Sequence, residues 1–163
     1  MNTVIYIMGV AGSGKTTIGK LLSDAIGLPF FDADDFHSSA NTKKMQAGLP
    51  LTDEDRQPWI ERINELGIKE SKLNGAIIGC SALKEKYREQ LEAGITKCSW
   101  IFLQGDYDII YERMKKRSHH FMPAQLLQSQ LESLEIPAAA LTIDIGNEPA
   151  EIVNNIVQYL KGK

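Results

Sequence analysis

The stretch that most constrains this chain is Gly9-Val10-Ala11-Gly12-Ser13-Gly14-Lys15-Thr16, which has the form G-x-x-x-x-G-K-T. Before it, Val4-Ile5-Tyr6-Ile7-Met8 is a short apolar run of the kind that makes a strand buried on both faces. After it, Ile18, Leu21, Leu22, Ala25 and Ile26 recur at helical spacing, with Gly27 and Pro29 as a stop. Strand, glycine-rich turn and helix in that order make a phosphate cradle. The glycines let backbone N–H groups approach anionic oxygens, and the helix directs its positive end at the same point. Gly9, Val10, Ala11, Gly12, Ser13, Gly14, Lys15, Thr16 and the adjoining Thr17 are therefore the expected nucleotide-binding residues. Lys15 supplies a charge for the β- and γ-phosphates, and the Thr16 hydroxyl is an expected Mg²⁺ ligand.

Four further apolar runs follow, each separated by helical sequence: Pro29-Phe30-Phe31, Ala76 to Cys80, Trp100 to Leu103 and Ala140 to Asp144. Strands alternating with helices imply right-handed crossovers and a parallel sheet covered on both faces, an α/β/α sandwich. Thr52-Asp53-Glu54-Asp55 has the form of a capping box ahead of the apolar stripe Trp59, Ile60, Ile63 and Leu66. Asp106 is placed to cap a helix running to about Arg117, and Pro149 to start the last one. The length of 163 residues fits one domain, residues 1–163. Ligands of such sheets bind outside the carboxyl ends of the strands.

Composition narrows the function. A net charge of −3 without a basic tail argues against a nucleic-acid partner. No run approaches the ~20 apolar residues of a membrane span, and no leader pattern opens the chain, so the cytoplasm is the expected compartment. Cys80 and Cys98 read as small buried hydrophobes.

Chemistry is expected where charged residues follow strands. Asp32-Ala33-Asp34-Asp35-Phe36-His37 comes directly after the second strand. Alternation in an extended segment would turn Asp32 and Asp34 the same way. Asp34 is the expected base for an attacking hydroxyl and Asp32 a Mg²⁺ partner through water, while Asp35 reads as a cap or a solvated group. Arg113, Lys115, Lys116 and Arg117 end a helix, where its dipole favours cations in any case. Arg117, at the edge of a loop able to close over a nucleotide, is the expected stabiliser of transferring charge, with Arg113 a second nucleotide contact. Lys84 and Arg88, four apart on a helix, either grip an acidic acceptor or form a solvated face. His119-His120 lacks partners at zinc spacing, and no N-K-x-D guanine signature occurs.

Taken together, these segments resemble the gluconate kinases, small P-loop proteins related to shikimate and adenylate kinases. The resemblance runs nearly end to end. It rests on Met8 to Thr16, Asp32 to His37, Leu51 to Trp59, Cys80 to Lys84 with Tyr87-Arg88, and His120-Phe121-Met122-Pro123. It implies a P-loop NTPase fold with a five-stranded parallel sheet and a helical lid at about 117–127. It implies ATP with Mg²⁺ as phosphoryl donor, D-gluconate phosphorylated at its 6-hydroxyl, and a homodimer. It also implies a gluconate pocket drawn from Asp34, His37, Arg56, Lys84 and Arg88. Ser118-His119 departs from the family's usual Lys-Gly and bears on lid closure. Two rivals stay open: a related kinase for another hydroxy acid or a nucleoside monophosphate, and a nucleotide-binding regulator without transfer activity.

Overall fold

The computed structural model describes residues 2–116 and 124–163. Among them, β1 (Thr3–Met8), β2 (Phe30–Asp32), β3 (Gly75–Gly79), β4 (Cys98–Gln104) and β5 (Leu141–Asp144) form one sheet in the order β2-β3-β1-β4-β5, with every pairing parallel. The helices are α1 (Lys15–Ile26), α2 (Ser39–Gln46), α3 (Asp53–Ser71), α4 (Glu85–Glu92), α5 (Tyr107–Lys115), α6 (Ala124–Ser133) and α7 (Pro149–Lys161). The expected sheet is present, with β1 at its centre.

Strand alternation builds two cores. Ile5 and Ile7 of β1, with Ile77, Ile101 and Leu103, pack against Ile18 and Leu22 of α1, Ile110 of α5 and Ile152 and Ile156 of α7. Val4, Tyr6 and Met8 face the other way, with Ile78 and Phe102, against Trp59, Ile60 and Ile63 of α3 and Leu91 of α4. Burying each large aliphatic side chain contributes about 1.5–3 kcal/mol. Tyr6 is fully buried, stacked on Trp100 at 4.4 Å, and its hydroxyl donates to Leu91 O at 3.0 Å. That bond satisfies the one polar atom β1 carries into the second core.

The capping box ahead of α3 forms as its sequence requires. Asp55 N donates to Thr52 Oγ1 at 3.1 Å and Thr52 N donates to Asp55 Oδ2 at 2.9 Å. Asp53, the first helical residue, is thereby left to turn elsewhere. Helix α5, which follows β4, ends at Lys115, and Asp106 precedes it without a side-chain cap.

Where β3 begins, Gly75 adopts φ 99, and a Cβ there would lie 2.3 Å from Thr3 O of the neighbouring strand. Gly27, past α1, adopts φ 71 but has open space around the same position. Gly75→Ala is therefore expected to cost about 3 kcal/mol or more, because strain and a backbone clash add, whereas Gly27→Ala costs about 1–2 kcal/mol. Urea midpoints of the two variants measure the difference; equal costs would refute the clash.

Candidate active site

The turn after β1 is held from both sides. Gly14 sits in the left-handed region, φ 100, as the cap residue of α1, a conformation costing other residues about 1–2 kcal/mol. The Lys15 ammonium lies across the turn, donating to Gly9 O at 2.9 Å and Val10 O at 3.0 Å. Thr16 Oγ1 donates to Asp32 Oδ2 at 3.0 Å, so the two oxygens expected at a divalent cation do meet. Hard oxygen ligands of this type, few in number, suit a Mg²⁺ that keeps waters and phosphate oxygens as its other ligands.

The acidic turn differs from expectation. Ala33–Phe36 is a 3₁₀ turn, not an extended segment, and Asp32 is its cap: Asp34 N donates to Asp32 Oδ1 at 3.0 Å. Asp34 is thus aimed by a capped turn instead of by strand alternation, and it shares a cleft with Lys15. Its carboxyl is held above the ordinary carboxylate range, chiefly by the loss of water at the cleft floor; Lys15 opposes this, and Asp32 and Asp35 add to it. Since 68% of the side chain is still open in this cleft, that desolvation acts in full only once the cleft is filled.

His37 closes the turn. Its ring stacks on Trp59 at 4.4 Å and 11°, and Trp59 Nε1 donates to Ala33 O at 2.7 Å. The imidazole is 4% exposed, its Nδ1 has no hydrogen-bond partner among the described residues, and Nε2 stands 3.8 Å from Asp34 Oδ1. Burial first, and Arg56 second, push its pKa down to about 4, so it is neutral at pH 7. The contact with Asp34 is then not an ion pair.

The facing wall comes from α3 and the segment after β3. Arg56 Nη1 donates to Leu51 O at 2.6 Å and to the Tyr87 hydroxyl at 3.3 Å, and Tyr87 in turn donates to Asp53, which also takes a bond from Lys86. Those two hydrogen bonds, Lys86 first, hold the Asp53 carboxyl down at about 2. Lys84 is the extended cap residue of α4, so it does not share a helical face with Arg88. Arg88 is 3% exposed, and its guanidinium donates to Ala82 O at 2.7 Å, Glu135 O at 2.9 Å and Glu85. The expected acceptor contact from Arg88 is thus corrected: it braces the loop that carries Lys84 from behind.

Lys15, Asp34, His37, Arg56 and Lys84 line one cavity of about 300 Å³, together with Asp53, Trp59, Tyr87 and Gln130. Arg113 is not among the residues lining it and donates to Ile145 O beyond β5. Arg117 lies outside the described residues, as do Ser118 to Pro123. Sequence reasoning overlooked Asp53 and Gln130. The signal for Asp53 was present, because the capping box employs Thr52 and Asp55 alone; Gln130 carried none.

Comparison with known proteins gives a consistent result. Residues 11–161 match a family model described as shikimate kinase. A probable gluconokinase of Dictyostelium discoideum is 43% identical over 97% of this chain and 86% of its own length. The thermosensitive gluconokinase of Escherichia coli (strain K12) is 43% identical over 93% of this chain and 84% of its own. The crystal structure of a gluconokinase from Sinorhizobium meliloti 1021 superposes with a TM-score of 0.85 at 39% identity, covering 94% of this chain and 88% of that one.

The buried imidazole has a consequence for stability. The folded state holds the His37 proton less tightly than the unfolded chain, at about 4 against 6.5, so stability falls as pH drops from 6.5 toward 4. At pH 5 the loss is expected to reach about 2 kcal/mol, less whatever Asp34 returns to the imidazolium. Urea unfolding at pH 7 and pH 5 measures it: His37→Gln should remove that part of the decline, and an unchanged decline would refute it.

Proposed function

The chain belongs to the gluconokinase family, and from that premise we propose that it transfers the γ-phosphoryl group of ATP to the 6-hydroxyl of D-gluconate, giving 6-phosphogluconate and ADP. The observation that carries the reading is the single cavity in which the cradle lysine, Lys15, and the carboxylate of Asp34 face Arg56 and Lys84. A phosphate-binding end and a cationic end suit a donor and an anionic acceptor held in one cleft.

Phosphoryl transfer asks a protein mainly to position groups and offset charge. In the proposed roles, residues Gly9 to Thr17 hold the phosphates, and Lys15 moves from the Gly9 and Val10 carbonyls onto the β- and γ-oxygens. Asp34 accepts the proton of the 6-hydroxyl. Lys84 and Arg56 face the gluconate carboxylate, while the neutral His37 imidazole and the ionised Asp53 carboxylate offer hydrogen bonds to its hydroxyls. Thr16 and Asp32 would hold Mg²⁺, which would supply neutralisation of phosphate charge there. Arg117 is proposed to meet the transferring group from the lid at 117–127, and Arg113 to stand near the nucleotide. We also propose action as one domain over residues 1–163, as a homodimer, in the cytoplasm; the resemblance supports the first two, and light scattering tests the assembly.

Purified protein with Mg·ATP should release ADP on addition of gluconate, and a panel including shikimate and nucleoside monophosphates should show gluconate preferred. Asp34→Asn is expected to lower turnover about 10²–10⁴-fold with ATP affinity retained. Because the base acts ionised, activity should fall as pH drops through a value above the ordinary carboxylate range, and this limb should vanish in the residual activity of Asp34→Asn. Unchanged turnover in that variant would remove Asp34 from the base role.

A further inference from the structure

Gln130, on α6, makes the contact that joins this helix to the phosphate cradle. Its Oε1 accepts from Ala11 N at 2.8 Å, across 119 residues of sequence. An N–H group can only donate, so the orientation of the carboxamide is set by chemistry: the oxygen faces the cradle and the NH₂ group faces away from it. That NH₂ group carries two donors with no other partner among the described residues, and Gln130 lines the cavity that holds Lys15 and Asp34.

The helix is fixed at its far end as well. Just past its end Glu135 N donates to Leu83 O at 2.7 Å and Arg88 donates to Glu135 O at 2.9 Å, and Leu126 and Leu127 of α6 are buried. The carboxamide is therefore a held group, anchored to the cradle on one side and, through its helix, to the loop carrying Lys84 on the other. A preorganised donor on the wall of a cleft that loses its water when filled is the arrangement that stabilises charge developing in a transition state.

We propose that Gln130 is a catalytic residue of the transfer reaction, its amide N–H donating to an oxygen of the γ-phosphoryl group as that group leaves the cradle for the hydroxyl at Asp34. The assignment rests on the kinase reading above. It gives the moving group a neutral donor beside Lys15, and it places that donor under the control of the Ala11 contact.

Two substitutions separate this role from a bracing one. Q130E keeps the oxygen that accepts from Ala11 N and removes the donor; Q130M removes both at similar length. In gluconate-dependent ADP release by the full chain, Q130E is expected to lower kcat about 100-fold, with KM for gluconate within about threefold and the melting temperature retained. Q130M should lose at least as much. A Q130E enzyme with near wild-type kcat would overturn the proposal, since the brace alone would then suffice, as would a loss confined to KM. Should Q130E fail to fold, a near wild-type kcat in Q130M overturns it, and a 100-fold lower kcat with KM for ATP retained upholds it, because loss of the Ala11 contact alone would loosen the cradle and raise that KM. Absence of gluconate-dependent ADP release in the unmodified protein would instead defeat the functional reading itself.

Discussion

Everything in this molecule is referred to β1, which has no access to water on either face. Val4 to Met8 are fully buried, with one core against α1, α5 and α7 and the other against α3 and α4. Flanked by β3 on one side and β4 on the other, a strand so placed releases the chain to solvent at its carboxyl end, from which α1 crosses over to β2. The turn that begins at Gly9 occupies that exit. Apolar packing thus decides where a polar site can exist before any polar residue is chosen.

Within that exit, Asp32 does the arranging. One oxygen caps the turn that aims Asp34, and the other holds the Thr16 hydroxyl, so a single carboxylate sets the distance between cradle and proposed base. Tethering β2 to α1 in this way also crowds three carboxylates into four residues, Asp32, Asp34 and Asp35, with Lys15 as the nearest counter-charge. Loss of water at the cleft floor first, and this crowding after it, raise the Asp34 carboxyl above its ordinary value, against the pull of Lys15. Stability is given up locally for that property, as is common where titratable groups converge.

Much of this was legible in the sequence, for identifiable reasons. The cradle, the central strand and the Thr16–Asp32 pair depend on local patterns or on strand ends, both of which short-range sequence encodes. The capped 3₁₀ turn was not legible, because an Asp two residues before another can continue a strand or cap a turn, and tertiary support from Trp59 to Ala33 O decides. Arg88 was misread for a similar reason: its burial depends on Ala82 turning at φ 44 and on Glu135, forty-seven residues away. Helix α2, residues Ser39–Gln46, has almost no apolar stripe, and it is held by the Ser38 cap and by Asn41 donating to Asp55 O. The alternatives left open narrow through relatives whose similarity runs the length of the chain, since no local motif distinguishes one small hydroxy-acid acceptor from another.

The electrostatics resolve an apparent contradiction between an acidic chain and two anionic ligands. At physiological ionic strength, exposed charges more than about 8 Å apart are largely screened, so the net −3 of the surface contributes little inside a cleft. What a ligand meets there is local: Lys15, Arg56 and Lys84 on the walls, against Asp34 and Asp53. Asp53 is kept ionised by Lys86 and Tyr87, which direct its charge along their hydrogen bonds, and Arg56 stays near the cavity because Tyr87 and Leu51 O hold its guanidinium. His37, kept neutral by burial, adds no further positive charge next to Asp34. Among the described residues the cation that acts on the proposed base is the Lys15 ammonium of the cradle, and a neutral His37 spares it the strong stabilisation of its anion that an adjacent imidazolium would impose.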